Sequence, residues 1–256
     1  MNKLIKPFAV AVCALLAACI KMDEDLAIRD DGSGSIHMTY AMSEQTIAQM
    51  QAMQKMAEEM AKSGGGAAQS ESNLEFDEAR LKAKFKEYEQ HGVFLEEVGS
   101  EDRQGWRYMH VKARFDKLSG LTQTDLYNDR KLSLVKDSSG NYRLGFGYGE
   151  DKQGAEESPD NPQMEQMMAA MMAGFLVETS IKVPGKVLET NAHETDGETV
   201  SWKFDIDKDP KAFSKMNKET PYVVFAGDGL NLAEVLPEPA QQGREEGASQ
   251  QGSEAN

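Results

Sequence analysis

The chain has 256 residues, 39% of them apolar, a mean hydropathy of −0.58 and a formal charge of −15. That length suits one substantial domain or two small ones, and the low apolar share leaves part of it as linker and tail. Lys3 and Lys6 are the only charged residues before position 19, so the remainder carries −17; a surface this acidic repels phosphate backbones and anionic headgroups, which excludes nucleic acid as an expected partner.

The chain opens on "MNKLIKPFAVAVCALLAAC", in which two lysines precede an apolar run from Phe8 to Leu16 and then Ala17, Ala18 and Cys19. This is the layout of a secretory signal peptide, and the run is too short for a membrane span of ~20 residues. Cys13 and Cys19 are the only cysteines. The folded part therefore has no disulfide framework, no cysteine-based zinc site and no thiol nucleophile. The residues "LAAC" at 16–19 resemble the bacterial lipobox. That resemblance implies a diacylglyceryl group on Cys19, removal of residues 1–18, and further acylation of the new amino terminus. Two or three acyl chains hold a bilayer stably, because each buried CH₂ adds ~0.8 kcal/mol. Ile20 and Lys21 follow with no aspartate after the cysteine, which by analogy with enteric-type sorting favours the outer membrane of a two-membrane cell.

Next, "DEDLAIRDDGSGSIHMTYAM" (23–42) alternates around Leu26 and Ile28 and again around Ile36, Met38 and Tyr40. Asp31-Gly32 and Ser33-Gly34 supply residues tolerant of positive φ, so the stretch predicts a β-hairpin. Ser43, as N-cap, opens a predicted helix to Lys62 with Ile47, Met50, Met53, Met56, Ala57 and Met60 at helical intervals. "SGGGAAQSESN" (63–73) reads as a flexible linker. A second helix follows, with Phe76, Ala79, Leu81, Phe85 and Tyr88 on one face and Gly92 closing it. Period-two alternation then marks "VFLEEVGS", "GWRYMHVKARFD", "KLSLVKDSSGNYRLGFGYG", "FLVETSIKVPGKVLETN" and "ETVSWKFDI" as sheet. Helices and strands in mixed runs predict an α+β domain over 19–236, a mainly antiparallel sheet packed with two or three helices. An acidic insertion at 150–161 and a low-complexity acidic tail at 237–256 cannot bury enough apolar area to offset their ordering entropy.

"MEQMMAAMMAGF" places Met164, Met167, Met168, Met171 and Met172 on one helical face. Such a stripe faces the core, or forms an adaptable surface for an apolar ligand or partner helix; Cu(I) ligation has no histidine or cysteine in the stripe to reinforce it. Asp205, Asp207 and Asp209 imitate the opening of a calcium loop, but Pro210 and Met216 stand where glycine and glutamate are required. A strand end followed by a helix N-terminus, whose dipole the acids favour, explains them better. His37, His91, His110 and His193 are scattered and form no ligand pair. Gly145, Gly147 and Gly149 sit in an alternating strand, relieving crowding against Phe146 and Tyr148 or facing a helix. No nucleophile, base and orienting group are assembled, and no cofactor or metal motif is present, so no enzymatic activity is expected.

Two stretches together resemble the LppM-type domain of bacterial lipoproteins: "CIKMDEDLAIRDDGSGSIHMTYAM" and "VPGKVLETNAHETDGETVSWKFD". The resemblance implies a non-enzymatic α+β envelope domain with lipid binding in at least one branch. The expectation is a lipoprotein held to the membrane through acylated Cys19, binding a lipid or an envelope protein through an apolar groove near the Met-rich helix. The alternative is an assembly factor that docks other envelope proteins through its Met-rich helices.

Overall fold

A computed structural model describes residues 20–48, 52, 76–127, 130–147, 170 and 172–236. The expected signal peptide, Cys19, the linker at 63–73, the insertion at 150–161, Met164, Met167, Met168, Met171 and the tail at 237–256 lie outside them.

Strands β1 (Ile20–Ile28) and β2 (Gly34–Ser43) form the expected antiparallel hairpin, with Leu26 opposite Ile36. The turn is closed by the Arg29 N–H donating to the Ser33 carbonyl at 2.8 Å. The Asp31 carboxylate accepts from both the backbone and the hydroxyl of Ser33. Gly32 has the positive φ (+82°) the turn needs. Gly34 is required for a different reason than turn geometry: it lies in extended backbone, where a Cβ would stand 2.1 Å from the Ala27 carbonyl and 2.2 Å from Phe115 Cζ.

Ser43 ends β2 and accepts the Thr46 N–H on its hydroxyl at 3.2 Å, so it caps α1, helical over 44–48, as expected. Asp77 caps α2 (Glu78–Tyr88) by accepting from the N–H groups of Ala79 and Arg80. One face of α2 buries Leu81, Phe85 and Tyr88. A 3₁₀ turn (Glu89–His91) and Gly92 in the left-handed region then stop it.

The strands expected from one sheet divide over two. The larger adds β3 (Val93–Arg103), β4 (Trp106–Phe115), β7 (Leu176–Lys182), β9 (Glu194–Asp196) and β10 (Thr199–Asp205), in the order β3-β4-β2-β1-β7-β10-β9. The smaller comprises β5 (Ser133–Lys136), β6 (Tyr142–Gly145), β11 (Tyr222–Phe225) and β8 (Val187–Thr190), in the order β5-β6-β11-β8. The chain changes sheet between β7 and β8 at the Pro184-Gly185 turn. There a Cβ on Gly185 would lie 2.1 Å from the Ala226 carbonyl, so the backbones approach more closely than any side chain allows. Among the described residues every strand pairing is antiparallel except β1 with β7.

The inner face of the larger sheet carries Leu26, Ile36, Tyr40, Met109, Val111, Val177, Trp202 and Phe204 into one buried cluster. Helix α2 packs on β3, and Phe146, just beyond β6, meets Trp202 edge-on at 5.3 Å between ring centroids. The outer face alternates with it and carries charge: Lys112 pairs with Glu97, and Lys203 with Glu178.

One local reading needs correction. The helix after β10 is α3 (Ala212–Lys218), which has no acid in its first turn. Asp209 instead accepts the Lys211 N–H and pairs with Lys215 at 2.6 Å, so it acts through those contacts and not through the helix dipole. Gly145 lies opposite Ser133, and the Gly147 N–H donates to the Arg130 carbonyl; Tyr148 and Gly149 lie outside the described residues. His37, His110 and His193 are partly exposed beside Asp25, Glu101 and Glu219, and His91 is half-buried on the rim of a crevice.

Candidate functional site

Cys19 directly precedes Ile20, the first residue of β1, which pairs with Met42 near the end of β2. The first described strand residue is therefore one residue beyond Cys19. Four adjacent strands meet at this end. Ser43 lies opposite Trp106, the first residue of β4, and Lys21 lies beside Leu176, the first residue of β7. The Glu44 N–H donates to the Gly105 carbonyl at 3.0 Å and ties the start of α1 to the β3–β4 turn. On the outer face the Lys21 ammonium stands 4.2 Å from the centre of the Trp106 ring. Ala41 lies between their strands and is only 1% exposed, the small side chain that lets Lys21 and Trp106 close over it.

Of the methionine stripe, Met172 alone is described. It is half-buried against the core, and its carbonyl accepts from the Phe175 N–H just before β7. At this position the stripe is core-facing.

A buried polar cluster escaped the sequence reading. Glu24 faces inward between Met22 and Leu26 and is 1% exposed. Both of its carboxylate oxygens are engaged, one by the Tyr127 hydroxyl and the other by Arg130 Nη1 at 2.5 Å. Arg130 Nη2 also points at Met22 Sδ, and the guanidinium lies 5.1 Å from the Tyr127 ring centre. The register places Thr179 beside Glu24; its hydroxyl is buried and finds no hydrogen-bond partner among the described residues. A carboxylate engaged on both oxygens locks β1 to the segment before β5. The Tyr88 hydroxyl, pushed up to about 12 by burial and the nearby Asp125 charge, stays protonated at neutral pH.

Two crevices stand out among the described residues, and both lie at the opposite end of the sheet from Ile20. One, of about 410 Å³, is bounded by His91, Gly92, Asp116 and Lys117; the other, of about 190 Å³, by Gly32, Leu118, Asn231 and Leu232. The region of the groove expected near the Met-rich helix lies mostly outside the described residues. Among the described residues no group of histidine, cysteine or acidic side chains is placed to hold a metal, and no helix is long and apolar enough to cross a membrane.

The fold is an α+β domain of mostly antiparallel strands, and the family it belongs to is one of lipoprotein-type envelope proteins. The family model described as the LppM domain matches residues 21–214, so the chain belongs to the LppM family. A solved structure, the folded domain of LppM from Mycobacterium tuberculosis, is 14% identical over 82% of this chain and 91% of that chain, with a TM-score of 0.40. Comparison with curated protein sequences gives no match.

Proposed function

We propose that the chain is a lipid-anchored, non-enzymatic envelope lipoprotein, acylated at Cys19 after loss of residues 1–18, whose domain binds a lipid or a protein partner at the membrane surface. What carries the reading is where the family match starts. It begins at Lys21, so the segment before Cys19 lies ahead of the matched domain, as a removable signal requires. The absence of aspartate after the cysteine supports the outer membrane as its destination. Both oxygens of the buried Glu24 carboxylate are held, which favours a structural use of this acid over a catalytic one.

Mass spectrometry of the detergent-purified protein tests this. The expected result is a mature chain starting at Cys19 with a diacylglyceryl mass, together with a retained lipid or a co-purifying envelope protein. An unmodified Cys19 on a chain that keeps residues 1–18 would refute the anchor. A fully acylated protein that holds no lipid and cross-links to no protein would refute the binding role.

A further inference from the structure

We infer that the end of the larger sheet carrying Ile20, Lys21, Ser43, Gln104, Trp106 and Leu176 lies directly against the bilayer, with Trp106 and Lys21 seated at headgroup level. The inference rests on the proposed acylation of Cys19. It goes beyond that reading by assigning the face that touches lipid and the residues that do so.

The tether length decides the matter. An extended chain spans at most ~3.6 Å per residue, so the single step from Cys19 to Ile20 leaves no room for a layer of water between sheet and membrane. Ile20 is not free to swing away, because its strand is paired on both sides, with β2 from Ile20 onwards and with β7 from Lys21 onwards. Neighbouring strands stand ~4.8 Å apart, so the three steps from β4 across β2 and β1 to β7 cover about 15 Å. Trp106 and Leu176 both start their strands within that width, one on each side of the anchor. The whole end is therefore carried to the surface with Cys19, whatever the net charge of the remainder.

The side chains at this end suit the boundary. A tryptophan presents an apolar body and a polar N–H, and a lysine keeps its stem on apolar surface while its ammonium reaches water or phosphate; both are enriched at the interface. Trp106 is half-buried, with the Lys21 ammonium held over its ring. Arg103, at the same turn, lies 4.8 Å from the Tyr108 ring and adds a second cation. Zwitterionic lipid suits this surface better than anionic lipid, because Glu44, Asp102 and Asp205 stand at the same end. The opposite end, with the Asp30–Gly32 turn and both crevices, then points away from the membrane.

The molecule contains its own probe, since it has two tryptophans: Trp106 at this end, and Trp202, which is 0% exposed in the core. Full-length acylated protein is reconstituted into phosphatidylcholine vesicles with and without a nitroxide on the headgroup, and emission is compared for the native chain and Trp106→Phe. The expected result is a loss of native emission in nitroxide vesicles that disappears in Trp106→Phe, whose remaining Trp202 emission reports that the core is intact. As a second readout, a fluorophore on Gln104→Cys is quenched and one on Asp30→Cys is not, the acylated Cys19 leaving no other thiol to label. Equal emission with and without nitroxide, in protein whose acyl mass is verified, overturns the orientation while the anchor stands. Absence of the acyl mass overturns the anchor and the orientation with it.

Discussion

Arg130 is the more exposed member of the buried pair, with 17% of its side chain exposed against 1% for Glu24, so it is the partner that can be removed with the least loss of packing. Arg130→Met leaves a carboxylate buried without its cation and is expected to cost ~3–5 kcal/mol in urea unfolding. Glu24→Met combined with Arg130→Met recovers most of that loss, because apolar side chains of similar volume often replace such a pair at little cost. A single-variant loss as small as that of a surface pair, ~0–1 kcal/mol, would show that water reaches the carboxylate. Asp23, next along the strand, faces outward. Partial burial, and then the charges of Asp25 and Glu178, raise its carboxyl above the ordinary 3.8, against the opposing pull of His37 and Lys203. A folded value above the unfolded one means that this group's contribution is fully present below pH 3.8 and is lost as pH rises through the folded value. Asp23→Asn is therefore expected to raise the melting temperature at neutral pH by about 1–2 °C and to match the native protein below the ordinary carboxylate range, in paired thermal melts. Neither role was legible in "KMDEDLAI", where the alternation around Leu26 and Ile28 marks a strand but assigns no partner to the three consecutive acids. The phase of the alternation does place Glu24 with Met22, Leu26 and Ile28, but its partners lie more than 100 residues away at Tyr127 and Arg130.

The elements that local chemistry punctuates were legible, and those defined by distant pairing were not. Helix α2 is bounded by Asp77 and Gly92, and the first hairpin by its Asp-Gly turn, each readable within a few residues. Strand β11 was missed, since "YVVF" after Pro221 is too short to show a period, and it is fixed by β6 and β8 on either side. Nothing local could reveal the parallel pairing of Lys21 with Leu176, or that the Pro-Gly turn sends the chain to a second sheet. This pairing makes β1 an interior strand, with nine residues in register on β2 and seven on β7. A chain starting at Asp30 exposes both partners and leaves Arg130 without Glu24. It is expected to lose cooperative thermal unfolding, followed by circular dichroism, whereas one starting at Ile20 keeps it. A cooperative melt from the shorter chain would show that β2 and β7 can close on each other. At the same scale, Gly34→Ala forces a methyl into the Ala27 carbonyl and the Phe115 ring, and overpacking of that kind costs ~1–3 kcal/mol or more in urea unfolding.

An interior strand next to the proposed acylation site means that, if Cys19 is the anchor, the whole sheet and not a loose edge inherits its position. The crevices at the far end then open toward the aqueous side, and the charged outer face runs from the bilayer into solvent. If the short tether is what holds Trp106 at the headgroups, lengthening it must release the domain. A flexible Gly/Ser insertion of about 20 residues between Cys19 and Ile20 has a relaxed span of ~25 Å, wider than the strand end it replaces as a constraint. The expected outcome is a loss of nitroxide quenching at Trp106 with the acyl mass and the melting temperature unchanged, because no residue of the folded domain has been altered. Quenching that survives the insertion would mean that Lys21, Arg103 and Trp106 hold the surface by their own affinity. In that case a chain starting at Ile20, with no acyl group at all, should still sediment with phosphatidylcholine vesicles, and Trp106→Ala should release it.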